Sequence, residues 1–234
     1  MVDRVSVILP TYNERESLAR LDPELQTALR TLPAEIVVVD DASPDGTADL
    51  VRQLPGPVPH RLVERSGKLG LSSAVIAGIG VAQGEILVVM DADGSHPPEA
   101  IPPLVGAVDQ GAEFALGSRH VPGGTSEGLG PGRRILSRGA TLLARPIAPV
   151  RDPMSGFFAF RRSILRRATL SPRGFKIGLE ILVRCRPRPV REIPIAFRPR
   201  FAGESKLTRG EIRNYVRHLA GLYAVRAGLA RPPR

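Results

Sequence analysis

The sequence predicts an α/β protein built on an open, mostly parallel, doubly wound sheet with helices on both faces. Three observations predict it. Short runs rich in β-branched residues alternate with longer stretches of helical periodicity. Apart from Ser6 and the charged residue that opens three of them, the runs are apolar, as strands covered on both faces must be. Polar, turn-forming residues follow their C-terminal ends.

The strand-like runs are Val5–Leu9, Glu35–Val39, Arg61–Val63, Ile86–Met90 and Glu113–Leu116, separated by helical patterns over about 15–32, 46–54, 71–83 and 98–110. After residue 119 the pattern changes. Pro122–Thr125 and Gly128–Gly132 predict a loop able to serve as a lid, and an Arg-bearing helix follows near 133–147. Ser155–Phe160 and Glu192–Phe197 read as further strands that complete the same sheet, with Phe157 and Phe158 in its core. Near the end, Thr208 and Glu211 have capping-box spacing, and Ile212, Tyr215, Val216, Leu219, Leu222 and Tyr223 follow helical spacing opposite Arg213, Arg217 and Arg226. Such a helix either packs at the sheet's edge or lies at a membrane surface. The predicted division is one domain over 1–207 and a basic amphipathic helix over 208–234.

A chain of 234 residues with 42% hydrophobic and 24% charged content supports one substantial core. The single cysteine, Cys185, cannot close an internal disulfide, and no charged-then-apolar leader precedes Val5, so a reducing cytoplasm is expected. No stretch approaches the ~18 apolar residues that cross a bilayer. The net charge of +10 concentrates toward the C-terminus, where residues 195–234 carry nine Arg or Lys against Glu204 and Glu211. Anionic lipid, an anionic substrate or nucleic acid would suit that patch. Aromatics at 4% supply little to stack on bases, which disfavours nucleic acid. Because 30 of the 33 basic residues are Arg, the lysines Lys68, Lys176 and Lys206 stand out; each lies in a Gly- or Ser-containing loop that suits a point charge near phosphate.

The chemistry concentrates at Glu85–Glu99, where an apolar run ends in Asp91 and Asp93, with Ala92 between them, and the chain breaks at Gly94 and Pro97–Pro98. Residues i and i+2 share a face in extended chain, so the two carboxylates can converge on one cation or polar ligand. Oxygen donors without thiols favour Mg²⁺ or Mn²⁺ completed by substrate phosphates. A solvated turn would use the same residues. Pro10–Glu14, Asp40–Gly46 and Asp91–Asp93 all fall where open α/β sheets bind ligands, beyond the strand C-termini. Asp45 reads as a helix cap, whereas Asp40 and Asp41, at the strand end itself, read as ligand groups. Neither Gly-x-Gly-x-x-Gly nor a Walker loop is present, which disfavours dehydrogenases and ATPases.

Taken in order, Ile8–Glu14, Val39–Gly46, Lys68–Leu71, Asp91–Asp93, Gly117–Arg119, Met154–Phe157 and Arg200–Leu207 resemble the motifs of inverting GT-A glycosyltransferases of family 2, and within them the dolichol-phosphate and polyprenol-phosphate mannosyltransferases. The resemblance runs from about residue 5 to 207 and implies a GT-A fold. It places Pro10, Tyr12, Glu14, Asp41 and Lys68 at a guanine nucleotide, and Asp91, Asp93 and Ser95 around Mg²⁺ or Mn²⁺ and a diphosphate, with Ser95 standing where some relatives carry glutamine. Arg119, Arg133, Arg200 and Lys206 fall at or near basic positions that handle donor and acceptor phosphates. The implied donor is GDP-mannose and the implied acceptor a polyprenyl phosphate, with UDP-glucose or another nucleotide sugar as the alternative donor.

A hydroxyl acceptor would need a general base, but a phosphate monoester is already an anion and needs only basic residues to hold it. The Arg-rich segment 198–206 suits that acceptor. Processive relatives mark the acceptor side with Gln-x-x-Arg-Trp, and this chain has no tryptophan. Some relatives carry C-terminal membrane helices and others work with small membrane proteins; this chain resembles the second kind. The implied location is peripheral, on the cytoplasmic face of a membrane, with salt-sensitive contact through Arg209, Arg213 and Arg217.

Overall fold

The computed structural model describes residues 3–127, 131–171, 176–201 and 209–229, and of residues 131–135, 209, 211 and 212 the backbone alone. Strands β1 (Val5–Thr11), β2 (Ala34–Asp40), β3 (His60–Glu64), β4 (Ile86–Val89) and β5 (Phe114–Ser118) alternate with helices α1 (Arg15–Leu29), α2 (Thr47–Gln53), α3 (Leu71–Val81) and α4 (Ile101–Asp109). A two-residue strand β6 (Thr125–Ser126) and helix α5 (Pro131–Ala144) lead to β7 (Phe158–Arg161), α6 (Ile177–Arg184), β8 (Val190–Pro194), β9 (Ala196–Phe197) and α7 (Arg209–Arg226). The capping-box pair Thr208 and Glu211 lies outside the described side chains.

Seven strands form one sheet in the order β3-β2-β1-β4-β7-β5-β8, and β6 pairs with β9 in a small second sheet. All pairings in the large sheet are parallel except those of β7, which runs antiparallel between β4 and β5. The chain steps outward from β1 through β2 to β3, then returns to the other side of β1 as β4. That reversal is the topological switch point where open α/β sheets form a ligand crevice. The loops after β1 and β4 therefore face each other across it.

Period-two alternation builds two cores from the same strands. Val7, Leu9, Ile36, Val38, Ile86 and Val88 pack on one face with Leu18, Leu21 and Leu25 of α1 and Ile101, Leu104 and Val105 of α4. Ile8, Val37, Val39, Leu87 and Val89 point to the other face, toward Val75 of α3, Ile181 of α6 and Leu219 of α7. Both faces are covered, which is why the strands read as largely apolar runs. Phe114, Phe158 and Phe160 stack in the second core with centroids 5.2 to 6.1 Å apart, and Phe157 is also fully buried.

Sequence and structure part mainly at helix ends and on α7. Helix α1 stops at Leu29 and not near 32, because the Leu32 amide turns back onto the Leu29 carbonyl ahead of Pro33. Tyr215, Leu219 and Leu222 of α7 are buried, but Val216 is 53% and Tyr223 38% exposed. The Tyr215 and Tyr223 hydroxyls donate to the Ala140 and Leu143 carbonyls, tying α7 to α5. The apolar stripe of α7 is thus wider than the face the protein covers.

Candidate active site

Every parallel strand next to the switch point delivers a polar loop to one rim, and antiparallel β7 enters from the same rim. β4 ends opposite the start of β7, with Val89 paired to Phe158, which brings the 152–157 turn beside Asp91. An added Cβ on Gly156 would lie 3.4 Å from Asp91 Oδ2, so this turn packs directly against the carboxylate. β5 ends paired with β8, Ser118 opposite Pro194, which brings Arg119 beside the segment that follows β8.

Asp93 is buried and organises the loop after β4. Its Oδ1 accepts from the Ser95 amide at 2.9 Å and the Ser95 hydroxyl at 2.5 Å, and its Oδ2 lies 2.9 Å from Arg200 Nε. The Asp93 carbonyl accepts from the Phe201 amide and the Ser95 carbonyl from the Arg198 amide. The 198–201 segment is thereby laid over the loop. Gly94 has φ +79°, and any Cβ there would run into the Phe201 ring; glycine is needed both for the turn and for the close approach. Arg198 anchors the segment's start through Glu24 of α1, at 3.0 Å, and through Glu99.

Asp91 keeps 35% of its side chain open to solvent. Desolvation by the surrounding rim, with Asp93 adding to it, holds its carboxyl above the ordinary range, against the pull of His96, Lys176 and Arg200. His96 is buried between Phe157 and Phe197, at centroid distances of 5.2 and 5.5 Å. Its Nδ1 accepts from the Asp91 amide at 3.2 Å, so the proton sits on Nε2, and burial lowers its basicity. Lys176 donates to the Met154 carbonyl at 2.7 Å; burial lowers its pKa, while Asp91 and Asp152 draw it back up.

Beyond the end of β5, Arg119 is locked to Asp152. Asp152 Oδ2 accepts from Arg119 Nε at 2.7 Å and from its amide at 3.1 Å, and Oδ1 accepts from Nη2 at 2.8 Å. The Asp152 side chain is fully buried, and Glu192 accepts from the Arg151 and Asp152 amides behind it. Burial would raise the Asp152 carboxyl, but the Arg119 guanidinium and amide outweigh it and hold the group below the ordinary range. The guanidinium also lies 5.3 Å from the Phe197 ring centroid.

The opposite, β1 side carries Pro10, Tyr12 and Glu14. Lys68 places Nζ 4.0 Å from the Tyr12 ring centroid. The Glu14 carboxyl is raised mainly by burial, with Asp93 and Asp91 contributing and Ser17 and Arg200 opposing, so Glu14 shares the field of the two aspartates. Asp40 and Asp41 shape the adjoining loops. Asp40 accepts from Thr11 and from the Ser43 amide and hydroxyl. Asp41 takes Arg65 on Oδ1 and the Leu69 and Gly70 amides on Oδ2. Asp45 accepts from the Thr47 amide at the start of α2 and from the Arg15 amide at the start of α1. Asn13 and Ala42, beside these loops, have φ of +58° and +54°, conformations that cluster at ligand sites.

Of the residues singled out in the sequence, Glu14, Asp91, Ala92, Asp93, Ser95 and Arg200 converge at the switch point, Arg119 borders them, and Pro10, Tyr12 and Lys68 line the β1 side. Lys206 lies outside the described residues, and of Arg133 only the backbone, in α5, is described. His96, Asp152, Gly156 and Lys176 are additions. His96 and Gly156 lay inside the motifs already read, and Asp152 lies two residues before Met154, but no spacing rule marks their contacts. Asp91 presents an open carboxylate that suits an oxygen-preferring divalent ion, whereas both oxygens of Asp93 are engaged, Oδ1 by Ser95 and Oδ2 by Arg200, so Arg200 would have to give way for Asp93 to join it. Among the described residues no group of three His, Cys, Asp or Glu could enclose a metal.

A switch-point crevice with paired carboxylates on one side and guanidinium groups on the other is the layout of an enzyme that handles a nucleoside diphosphate. Residues 6–169 match the model of glycosyl transferase family 2, and the chain belongs to that family. It is 46% identical over 220 residues to the dolichol-phosphate mannosyltransferase of Pyrococcus furiosus, covering 92% of this chain and 62% of that protein. It is 40% identical over 222 residues to the polyprenol monophosphomannose synthase of Mycolicibacterium smegmatis, covering 90% of this chain and 83% of that one. Its fold matches glucosyl-3-phosphoglycerate synthase of Mycobacterium tuberculosis, solved with Mn²⁺, UDP-glucose and phosphoglyceric acid, with a TM-score of 0.73 at 19% identity, over 98% of this chain and 81% of that one. The GT-A architecture expected from the sequence is the one observed.

Proposed function

We propose that this glycosyltransferase moves mannose from GDP-mannose to a polyprenyl phosphate, with inversion at the anomeric carbon. The observation that carries the reading is the Asp93–Arg200 contact: the carboxylate side of the crevice and the basic segment after β9 meet at one point. A donor diphosphate held there has Asp91 and Asp93 on one flank and Arg200 and Arg119 on the other. Mg²⁺ or Mn²⁺ on Asp91 and Asp93, with Ser95 holding Asp93 in place, would neutralise charge on the departing diphosphate. The acceptor phosphate oxygen forms the new bond to the anomeric carbon, and the bond to GDP breaks on the opposite face, its electron pair leaving with GDP. Arg119, Arg200 and Lys206 serve to hold phosphates, and Pro10, Tyr12, Glu14, Asp40, Asp41 and Lys68 to hold or frame the nucleotide. The names of the relatives support the mannosyl group and the polyprenol-type phosphate, and GDP as its carrier rests on the resemblance of the motifs. Purified protein given a mixture of GDP-mannose, UDP-glucose and UDP-N-acetylglucosamine with polyprenyl phosphate and Mn²⁺ is expected to yield polyprenyl-phosphate mannose as the dominant lipid product by mass spectrometry. A dominant glucosyl lipid would replace the donor assignment.

The same reading requires a route to a lipid. Among the described residues no helix is long and apolar enough to cross a membrane. Helices α5 and α7 instead expose Leu142 (65%), Leu143 (55%), Val216 and Tyr223, and α7 adds the exposed Arg213 and Arg226 beside them. Apolar side chains beside basic ones favour peripheral contact with an anionic bilayer, where each charge contributes about 1 kcal/mol. Co-flotation with anionic liposomes is expected at low salt, to fall at high salt, and to be lost in Leu142→Glu/Leu143→Glu. Unchanged flotation of that variant would remove the α5–α7 face from the proposal.

A further inference from the structure

A cavity lined by both polar and apolar groups lies between α6 and α7, away from the rim. It encloses about 390 Å³, a volume within the range of small-molecule sites. Ser171, Glu180, Arg184, Asn214, Arg217 and His218 line it. Glu180 and Arg184 lie one and two turns along α6 from Lys176, which belongs to the transfer site.

Three of the polar side chains that line it are largely buried. The Glu180 side chain is fully buried, that of His218 is 9% exposed and that of Arg184 11%. Glu180 Oε1 accepts from the Ser171 amide at 2.6 Å and lies 2.7 Å from Arg184 Nε. Glu180 Oε2, Arg184 Nη1 and His218 Nε2 have no hydrogen-bond partner, and Oε2 stands 3.6 Å from His218 Nε2. Glu180 is ion-paired with Arg184 and with His218, but none of these three atoms makes a hydrogen bond, as buried polar atoms ordinarily do. Burial raises the Glu180 carboxyl and lowers the His218 imidazole, so a neutral imidazole can offer an N–H to the cavity.

From this arrangement we infer that the α6–α7 cavity binds a small soluble phosphate monoester, at a site separate from the transfer site. A phosphate monoester carries a charge of about −1.5 to −2 near neutral pH and several strong acceptor oxygens. Those oxygens match Arg184 Nη1, the Arg217 guanidinium, the Asn214 amide and His218 Nε2–H. Glu180 Oε2 needs a donor, which a P–OH or a hydroxyl on the ester's carbon chain supplies; a fully deprotonated, hydroxyl-free anion would leave it unmatched. A lipid phosphate headgroup has the same chemistry, but at 100° per residue Asn214, His218 and Gly221 lie on roughly the opposite side of α7 from the exposed Val216 and Tyr223, with Arg217 at the edge between the two. The cavity therefore opens away from the apolar face, and the soluble source is the one that fits.

The test uses the whole chain and a reporter inside the cavity. His218 is one of four histidines, and its imidazole Cε1–H resonance, identified through a His218→Gln variant, can be followed by NMR. Titration with glycerol 3-phosphate is expected to move it saturably, to do so equally in an Asp93→Ala background, and to require about tenfold more ligand in Arg217→Ala, which loses one charge-assisted contact at an exposed position. Sodium chloride at matched ionic strength is expected to leave it in place. No saturable movement, or identical affinity in Arg217→Ala, would overturn the site. Movement with phosphatidic acid vesicles but not with glycerol 3-phosphate would overturn the soluble ligand.

Discussion

Replacing Asp93 with alanine is expected to lower kcat/KM for glycosyl transfer by about a thousandfold while the protein stays folded. The size of the loss follows from how much converges on this one carboxylate. Oδ2 is the contact point of Arg200, and Oδ1 holds the Ser95 amide and hydroxyl. The substitution withdraws one of the two carboxylates proposed to hold the divalent ion, releases Arg200 from its position, and removes the acceptor that shapes the loop after β4. The cost to stability is smaller. Arg200 is 38% exposed and can turn to water, so the main penalty is the buried Ser95 amide left without its acceptor, about 1–3 kcal/mol. In a chain of this size that corresponds to a fall in Tm of roughly 2–12 °C. Calorimetric unfolding together with Mn²⁺-dependent binding of GDP would separate the two effects. A folded Asp93→Ala protein with transfer within tenfold of the parent would remove Asp93 from the proposed ion site.

The parts of the site legible in the sequence are those set by local chain geometry. The i, i+2 carboxylates after β4, the turn at Gly94 and the apolar strands were visible because strand period and turn chemistry are short-range properties. That ligands bind beyond the strand C-termini is legible too, from the alternation of strands and helices, but the strand order that makes the switch point is not. Much else that the sequence did not show depends on β7. Its antiparallel insertion between β4 and β5 carries Gly156 against Asp91 and Asp152 against Arg119, contacts across 65 and 33 positions of chain. No periodicity encodes that pairing. Asp40 and Asp41 illustrate the converse: their place at a strand end marks them as polar groups at the rim, but their neighbours Ser43, Arg65, Leu69 and Gly70 occupy their carboxylates, and only three-dimensional packing reveals it. The exposed Val216 and Tyr223 make a similar point for α7. Helical spacing shows an apolar stripe, but how much of it the protein covers depends on the neighbouring helices.

Asp152→Asn is expected to be damaging in a way that distinguishes positioning from contact. Asp152 is fully buried and engages Arg119 through Nε, Nη2 and the backbone amide; Nη1 is not among those bonds. The carboxylate therefore fixes the guanidinium, and Nη1 is the nitrogen proposed to meet a ligand phosphate. An asparagine keeps the shape but loses the charge, and its NH₂ group faces an Arg donor wherever it replaces an oxygen. Breaking a buried pair by changing one partner costs about 3–5 kcal/mol, a fall of roughly 6–20 °C in Tm for a domain of this size. Because Arg119 remains present but is no longer held, transfer is expected to fall by about a hundredfold at a temperature where the variant is folded, as misplacement by about 1 Å can cost that much. The double variant Arg119→Met/Asp152→Leu sharpens the test. Replacing both charges with apolar groups of similar volume is expected to restore much of the Tm but none of the activity, since no guanidinium remains to meet a phosphate. If the double variant recovered transfer along with stability, the pair would serve the fold alone. If Asp152→Asn lost Tm but kept full kcat/KM, Arg119 would not need Asp152 to reach its ligand.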